Sequence, residues 1–159
     1  MRRAVISTEQ VEQAALRYLA QRDRTSAQVM RYLDRKGASL AQVRSVLRRL
    51  TKAGYMNDRA FAARWAEARL ARRPMGREAL KAELLRQGLA EGLVAETLDR
   101  LYEHDREREL AKQAIQRVCR RAGGGPSRAA RLLRQRGFDE ETIDVVVTSE
   151  DWKMEPTRR

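Results

Sequence analysis

The sequence predicts an all-α protein built as three tandem three-helix repeats, helix-turn-helix-like units stacked in an elongated, curved array. Three observations carry this prediction. The first is an apolar skeleton that recurs with a period of about fifty residues. Aligned on Gly37, Gly88 and Gly137, each copy has Leu33, Leu84 or Leu133 four residues before the glycine, and Val29, Leu80 or Ala129 eight before. Val43, Val94 or Ile143 stands six after it, and Leu47, Leu98 or Val147 ten after. The second is helical spacing without strand alternation: Val43, Val46, Leu47 and Leu50 fall at i, i+3, i+4 and i+7, one face of a helix. The third is composition. Charged residues make up 35% of the 159, aromatics 5%, and prolines number three, which suits solvated helices with few breakers.

Each unit reads as a leading helix followed by two helices around a glycine turn. The leading helix carries Val11, Ala14, Ala15 and Leu19 in the first copy, Ala62, Trp65, Ala66 and Leu70 in the second, and Ala111, Ala114, Ile115 and Cys119 in the third. Expected helices span 8–21, 26–36 and 39–53, then 58–73, 76–87 and 91–103, then 106–122, 127–136 and 140–148. Ser7 with Gln10 and Ser39 with Gln42 form capping boxes, and Asp58 and Asp139 are candidate N-caps. Gly37, Gly88 and Gly137 sit where a left-handed residue ends a helix, a conformation cheapest without a Cβ. Tyr55, Phe61 and Trp65 are expected to seat the second unit on the first. The units divide as 1–54 with a short basic N-terminal arm, 55–104, 105–148, and a flexible tail at 149–159; Tyr102–Asp105 is either a polar joint or part of a continuous helix.

The net charge is +12, and it is uneven. Residues 1–54 carry 12 basic and 4 acidic side chains, residues 55–106 carry 10 and 9, and residues 107–159 carry 12 and 9. Such a balance favours polyanionic partners, nucleic acid above all. Arg44, Arg48 and Lys52 follow one another at i, i+4 and i+8, opposite the apolar face of their helix, beside Arg35 and Lys36. Arg69, Arg72 and Arg73, and Arg128, Arg131 and Arg134, form two further stripes. Arginine forks suit phosphate and carboxylate alike. These cations are the candidate partner and nucleic-acid contacts; the ordinary alternative is a solvated face balanced by Glu67, Glu78 and Glu83.

Catalytic constellations are missing from the pattern. Gly123–Gly125 lacks the G-x-x-x-x-G-K-[ST] spacing of a phosphate loop and follows a helix, so it reads as a linker, with Pro126 opening the next helix. His104 has no companions at metal-ligand spacing, and the one cysteine, Cys119, falls at a core position. No catalytic residue, metal or cofactor is expected. No apolar run approaches the roughly 18 residues of a membrane span, and a lone cysteine fits a reducing compartment. A soluble, monomeric, cytoplasmic protein follows. A helix-turn-helix transcription regulator, with Leu40–Lys52 as its recognition helix, is the alternative; the second copy's Glu91, Ala95 and Asp99 at comparable places argue against base readout.

The skeleton resembles the RecX family of recombinase regulators over roughly residues 10–148. The resemblance rests on Ala15-Leu16-Arg17-Tyr18-Leu19 with Arg22 and Ser26, and on Leu33-x-x-Lys36-Gly37. It continues through Gly54-Tyr55-Met56-Asn57-Asp58 into Phe61-Ala62, then Arg69, Gly76, Leu84 and Gly88, and closes on Arg136-Gly137-Phe138. Gln87-Gly88-Leu89 departs from the Lys-Gly-Ile usual there, and the Gly123–Gly125 loop is idiosyncratic. The resemblance implies a non-enzymatic protein that binds the RecA recombinase and its filament on single-stranded DNA. It implies inhibition of filament growth, ATP hydrolysis and strand exchange, and so modulation of recombination, DNA repair and the SOS response.

Overall fold

The computed structural model describes residues 6–103, 105–122 and 125–149, without the side chains of 119–122. The expectations for residues 1–5, His104, the Cys119 side chain, Gly123, Gly124 and residues 150–159 lie outside that description. Among the described residues there are nine helices and no strand: α1 (Thr8–Gln21), α2 (Ser26–Arg35), α3 (Leu40–Lys52), α4 (Asp58–Arg72), α5 (Arg77–Arg86), α6 (Glu91–Leu101), α7 (Arg106–Ala122), α8 (Pro126–Gln135) and α9 (Glu140–Ser149). Tyr102 ends α6 rather than continuing it, so α6 and α7 are separate helices.

Local chemistry sets the boundaries. Capping boxes open α1 at Ser7 and Gln10, α2 at Thr25 and Gln28, and α3 at Ser39 and Gln42; each satisfies N–H groups that the helix itself cannot. Asp139 Oδ1 accepts from the Thr142 amide at 2.7 Å and opens α9. At the other ends, Gly37, Gly88 and Gly137 have φ of 88°, 85° and 75°. The Gly37 amide donates to Asp34 O at 2.9 Å and the Ala38 amide to Leu33 O at 3.2 Å, the paired bonds of a Schellman stop. Gly137 and Phe138 repeat it on Arg134 O and Leu133 O. The residue after each glycine, Ala38, Leu89 or Phe138, is buried and ties the stop to the core.

The helices pack in triplets: α1 with α2 and α3, α4 with α5 and α6, α7 with α8 and α9. Val11, Ala15, Val29, Leu33, Val46 and Leu50 fill the first triplet, and Met56 from the following turn closes it. The second and third triplets share one continuous apolar cluster, in which Leu70, Leu80, Leu84, Leu98, Leu110, Ile115, Leu133 and Ile143 are almost wholly covered. A buried leucine cut to alanine costs about 2–5 kcal/mol, so the repeat leucines 33, 84 and 133 anchor each triplet.

Candidate interaction surfaces

The joints between triplets decide which side chains remain available. They reuse the same repeat positions. In the first joint the Thr25 hydroxyl, at the N-cap of α2, donates to Gln87 O at 2.7 Å. Asp58 Oδ1 accepts from the Ser26 amide at 2.8 Å and from the Ser26 hydroxyl at 3.2 Å. In the second joint the Gly76 amide, at the N-cap of α5, donates to Arg136 O at 2.9 Å, and Glu107 Oε1 accepts from the Arg77 amide at 2.9 Å. In each case a carboxylate from the start of the next triplet meets the positive N-terminus of a helix in the previous one. The turn glycine of the next triplet lies against that same helix start. A Cβ on Gly88 would stand 2.6 Å from Ala27 Cβ, and one on Gly137 2.5 Å from Ala79 Cβ.

This geometry corrects the expected role of Asp58. The N-cap of α4 is Asn57, whose Oδ1 accepts from the Ala60 amide at 2.9 Å; Asp58, one residue inside α4, turns outward to cap α2. Tyr55 is also reassigned. It is 61% exposed because the Gly54 turn aims it at solvent, and Met56 takes the buried place beneath the first triplet. Phe61 is buried within the second triplet's own cluster, and Trp65 is half-buried at its edge.

Among the candidate cations, Arg44, Arg48 and Lys52 are exposed along α3, and no carboxylate among the described residues pairs with them. Arg49, beside them, is ion-paired to Glu12. Arg35 is exposed; Lys36 Nζ lies 5.6 Å from the Tyr32 ring centre. That ring belongs to a column the sequence reading missed. Tyr18 and Tyr32 stack with centroids 4.1 Å apart and planes 6° from parallel, and the Arg24 guanidinium covers Tyr18 at 4.1 Å. The signal was available in the Tyr18 and Tyr32 pair on neighbouring helices, but only their packing brings the rings together.

The second stripe splits. Arg69 grips Glu83 bidentately at 2.6 and 2.9 Å, and that bond holds its guanidinium above the usual range. Arg72 and Arg73 are exposed at the end of α4. Arg117 Nη1 donates to Ala71 O and Arg72 O, each at 3.1 Å, and Arg136 Nη1 to Pro74 O at 3.2 Å. Burial, then the charges of Arg73 and Arg117, push the Arg136 guanidinium down from its ordinary value. Three guanidiniums therefore meet at the second joint. In the third stripe Arg128 and Arg131 are exposed, while Arg134 holds Glu140 at 2.7 and 2.9 Å.

Two half-buried groups tune the second joint further. The Tyr102 hydroxyl donates to Met75 O at 2.9 Å, and burial raises its pKa far enough to keep it protonated. Burial likewise raises the Glu107 carboxyl. Among the described residues no group of three His, Cys, Asp or Glu side chains converges to hold a metal, and no helix is long and apolar enough to cross a membrane.

Tandem three-helix units, joined turn to helix start, define a class of all-helical repeat proteins. A family model described as the first RecX three-helix domain matches residues 13–50, and one for the second RecX three-helix domain matches 57–98. The chain is 31% identical over 150 residues to a regulatory protein RecX of Mycobacterium sp. (strain JLS), covering 89% of this chain and 82% of that protein. It is 30% identical over 158 residues to that of Halorhodospira halophila, covering 95% and 94%. A Geobacillus sp. (strain WCH70) relative is 30% identical over 141 residues, and the chain spans about half of its length, 52%. The crystal structure of RecX from Lactobacillus salivarius superposes with a TM-score of 0.80 at 18% identity, over 91% of this chain and 96% of that one. The chain belongs to the RecX family of regulatory proteins.

Proposed function

We propose that this protein binds the RecA recombinase and its filament on single-stranded DNA and inhibits it without catalysing a reaction of its own. The observation that carries the reading is the tandem match to both RecX three-helix domains. The surface is consistent with it. Three repeats, taken as 1–54, 55–104 and 105–148, offer an extended surface able to lie across successive protomers of a helical filament. The free α3 stripe of Arg44, Arg48 and Lys52 adds attraction to DNA or to acidic protein surface and speeds encounter. Preferential binding to one filament state is sufficient to shift assembly away from the active one. Such a protein acts as a monomer in the cytoplasm, beside the recombinase.

A base-reading transcription regulator fits the joints poorly. The turns at Gly88 and Gly137 are covered by the preceding triplet, which leaves the Gly37 turn alone open for groove insertion. The test is recombinase ATP hydrolysis on single-stranded DNA, during assembly and on preformed filaments. Wild-type protein should inhibit, and reversing the charges at Arg44, Arg48 and Lys52 should raise the concentration needed by about tenfold or more. Absence of inhibition at stoichiometric protein and low salt ends the reading. Tight binding to one duplex sequence, about 10³-fold above random DNA, would replace it with the regulator.

A further inference from the structure

The first joint leaves open what the second fills. A cleft of about 320 Å³ lies between the two triplets, lined by Trp65 and Phe61 as its apolar part, by Gln28 and Gln87, and by the exposed Arg22 and Arg64. Gln28 Nε2 donates to Gln87 Oε1 at 3.0 Å, which ties the two amides together across the joint. Asp23 also stands there, spent on Arg64 at 2.7 Å; Arg22 has no carboxylate partner among the described residues.

The repeat supplies an internal control. At the second joint, Leu110 and Ala114 occupy the positions of Phe61 and Trp65, and both are covered. Arg136 occupies the position of Gln87 and is tied to Pro74 O. Packing these triplets therefore does not require a half-exposed tryptophan. Arg73 stands fifteen residues before its turn glycine, as Arg22 does, and its charge, with that of Arg117, acts on Arg136. Equivalent places along the array thus present an aromatic cleft rimmed by arginine, then an arginine trio.

We propose that the cleft between the first and second triplets receives one unpaired base of a single-stranded nucleic acid, stacked on Trp65, with Arg22 and Arg64 on its flanking phosphates. The volume, near the lower bound of ligand sites, suits one planar ring. Aromatic stacking between flanking cations is how proteins hold single strands without reading sequence. Two arginines against Asp23 leave the cleft net positive and complementary to a polyanion. The side-chain-to-backbone hydrogen bonds of Thr25 with Gln87 O and of Asp58 with the Ser26 amide fix both walls. This deepens the function proposed above, resting on its premise that the chain meets single-stranded DNA, and assigns that contact to the joint face.

The test is direct and needs no recombinase. With Trp152→Phe in place, Trp65 is the only tryptophan of the two in the chain. An oligothymidylate of about twenty nucleotides, longer than a typical single-strand footprint, should quench its emission, with affinity falling as salt rises. An abasic strand of equal length should bind more weakly and leave the emission unchanged. Trp65→Leu should weaken binding about five- to 150-fold, the range for loss of one stacked base, and the Arg22→Ala, Arg64→Ala double variant should weaken it with helicity intact. Binding by anisotropy without a change in Trp65 emission overturns the proposal. So does equal quenching by polyglutamate, which would make the cleft a site for acidic peptide, or unchanged affinity of the arginine double variant. ATPase inhibition by wild-type protein tests the proposed function separately, since quenching is read with DNA alone.

Discussion

Thr25 and Gly76 stand at the same repeat position, and both donate to the carbonyl just before a turn glycine in the next triplet: a hydroxyl to Gln87 O in the first joint, an amide to Arg136 O in the second. Asp58 and Glu107 likewise share a place and a task. Around these common bonds the two joints diverge. The first keeps two apolar clusters apart and leaves a cleft beside Trp65. The second merges its neighbours into one cluster and roofs it with Arg136 and Tyr102. One hydrogen-bonding scheme sets register in both, whereas side-chain size beneath it decides whether the joint is welded or grooved. The second and third triplets should therefore unfold as a unit, with the first able to part from them at lower cost.

The largest effect should come from closing the space between backbones in the second joint. A Cβ on Gly76 would lie 2.0 Å from Gly137 O, and no flexible side chain can give way there. Gly76→Ala should cost about 3 kcal/mol or more. Gly37→Ala is the contrast: nothing lies within 4 Å of its added Cβ, so only the left-handed backbone is strained, at about 1–2 kcal/mol. Denaturant unfolding of the two variants measures the difference, and equal losses would break the distinction between a glycine pressed against the backbone of a covered turn and one in an open turn.

Next come the polar bonds. Asp58→Ala should cost about 1–2 kcal/mol, as loss of a helix cap does, and should speed amide exchange at the start of α2 while leaving α5 protected. Tyr102→Phe leaves Met75 O without its donor, about 1–3 kcal/mol, and should act on the second joint alone. Exchange that rises equally in both joints after either change would show that the joints do not act independently.

A smaller effect concerns pH. Glu107 is buried enough that its folded pKa lies above the ordinary 4.5. The folded protein then holds this proton more tightly than the unfolded chain does, so the contribution is most favourable below 4.5 and is lost as pH rises through the folded value. Glu107→Gln keeps an acceptor for the Arg77 amide and removes the titration. The stability difference between variant and wild type should shift towards the variant from acid to neutral pH; a flat difference would deny Glu107 its buried setting. Smallest of all is Tyr55→Ala, within about 0.5 kcal/mol, because Tyr55 is exposed; a cost of several kcal/mol would return it to the joint.

Much of this architecture was written in local pattern. The capping boxes, the turn glycines and the Leu33, Leu84 and Leu133 skeleton are short-range features, and helix ends followed them within two residues. The surfaces were less legible. Arg69 and Arg72 look alike in sequence, yet one grips Glu83 and the other faces solvent. Arg134 and Arg131 differ in the same way, since Glu140 lies across a turn from only one of them. Asp58 carries a cap's chemistry, but its partner is thirty-two residues away in α2.

By itself the sequence determined the all-α class, the threefold repeat and the three glycine stops, because helix periodicity, capping and left-handed backbone are decided within a few residues. Only the tertiary structure decided how the triplets join, which cations keep free donors, that Tyr18 and Tyr32 stack, and that Trp65 borders a cleft. Those outcomes depend on which helix start meets which turn, and contacts between residues on different helices, as far apart as Thr25 and Gln87, leave no periodic trace in either segment alone.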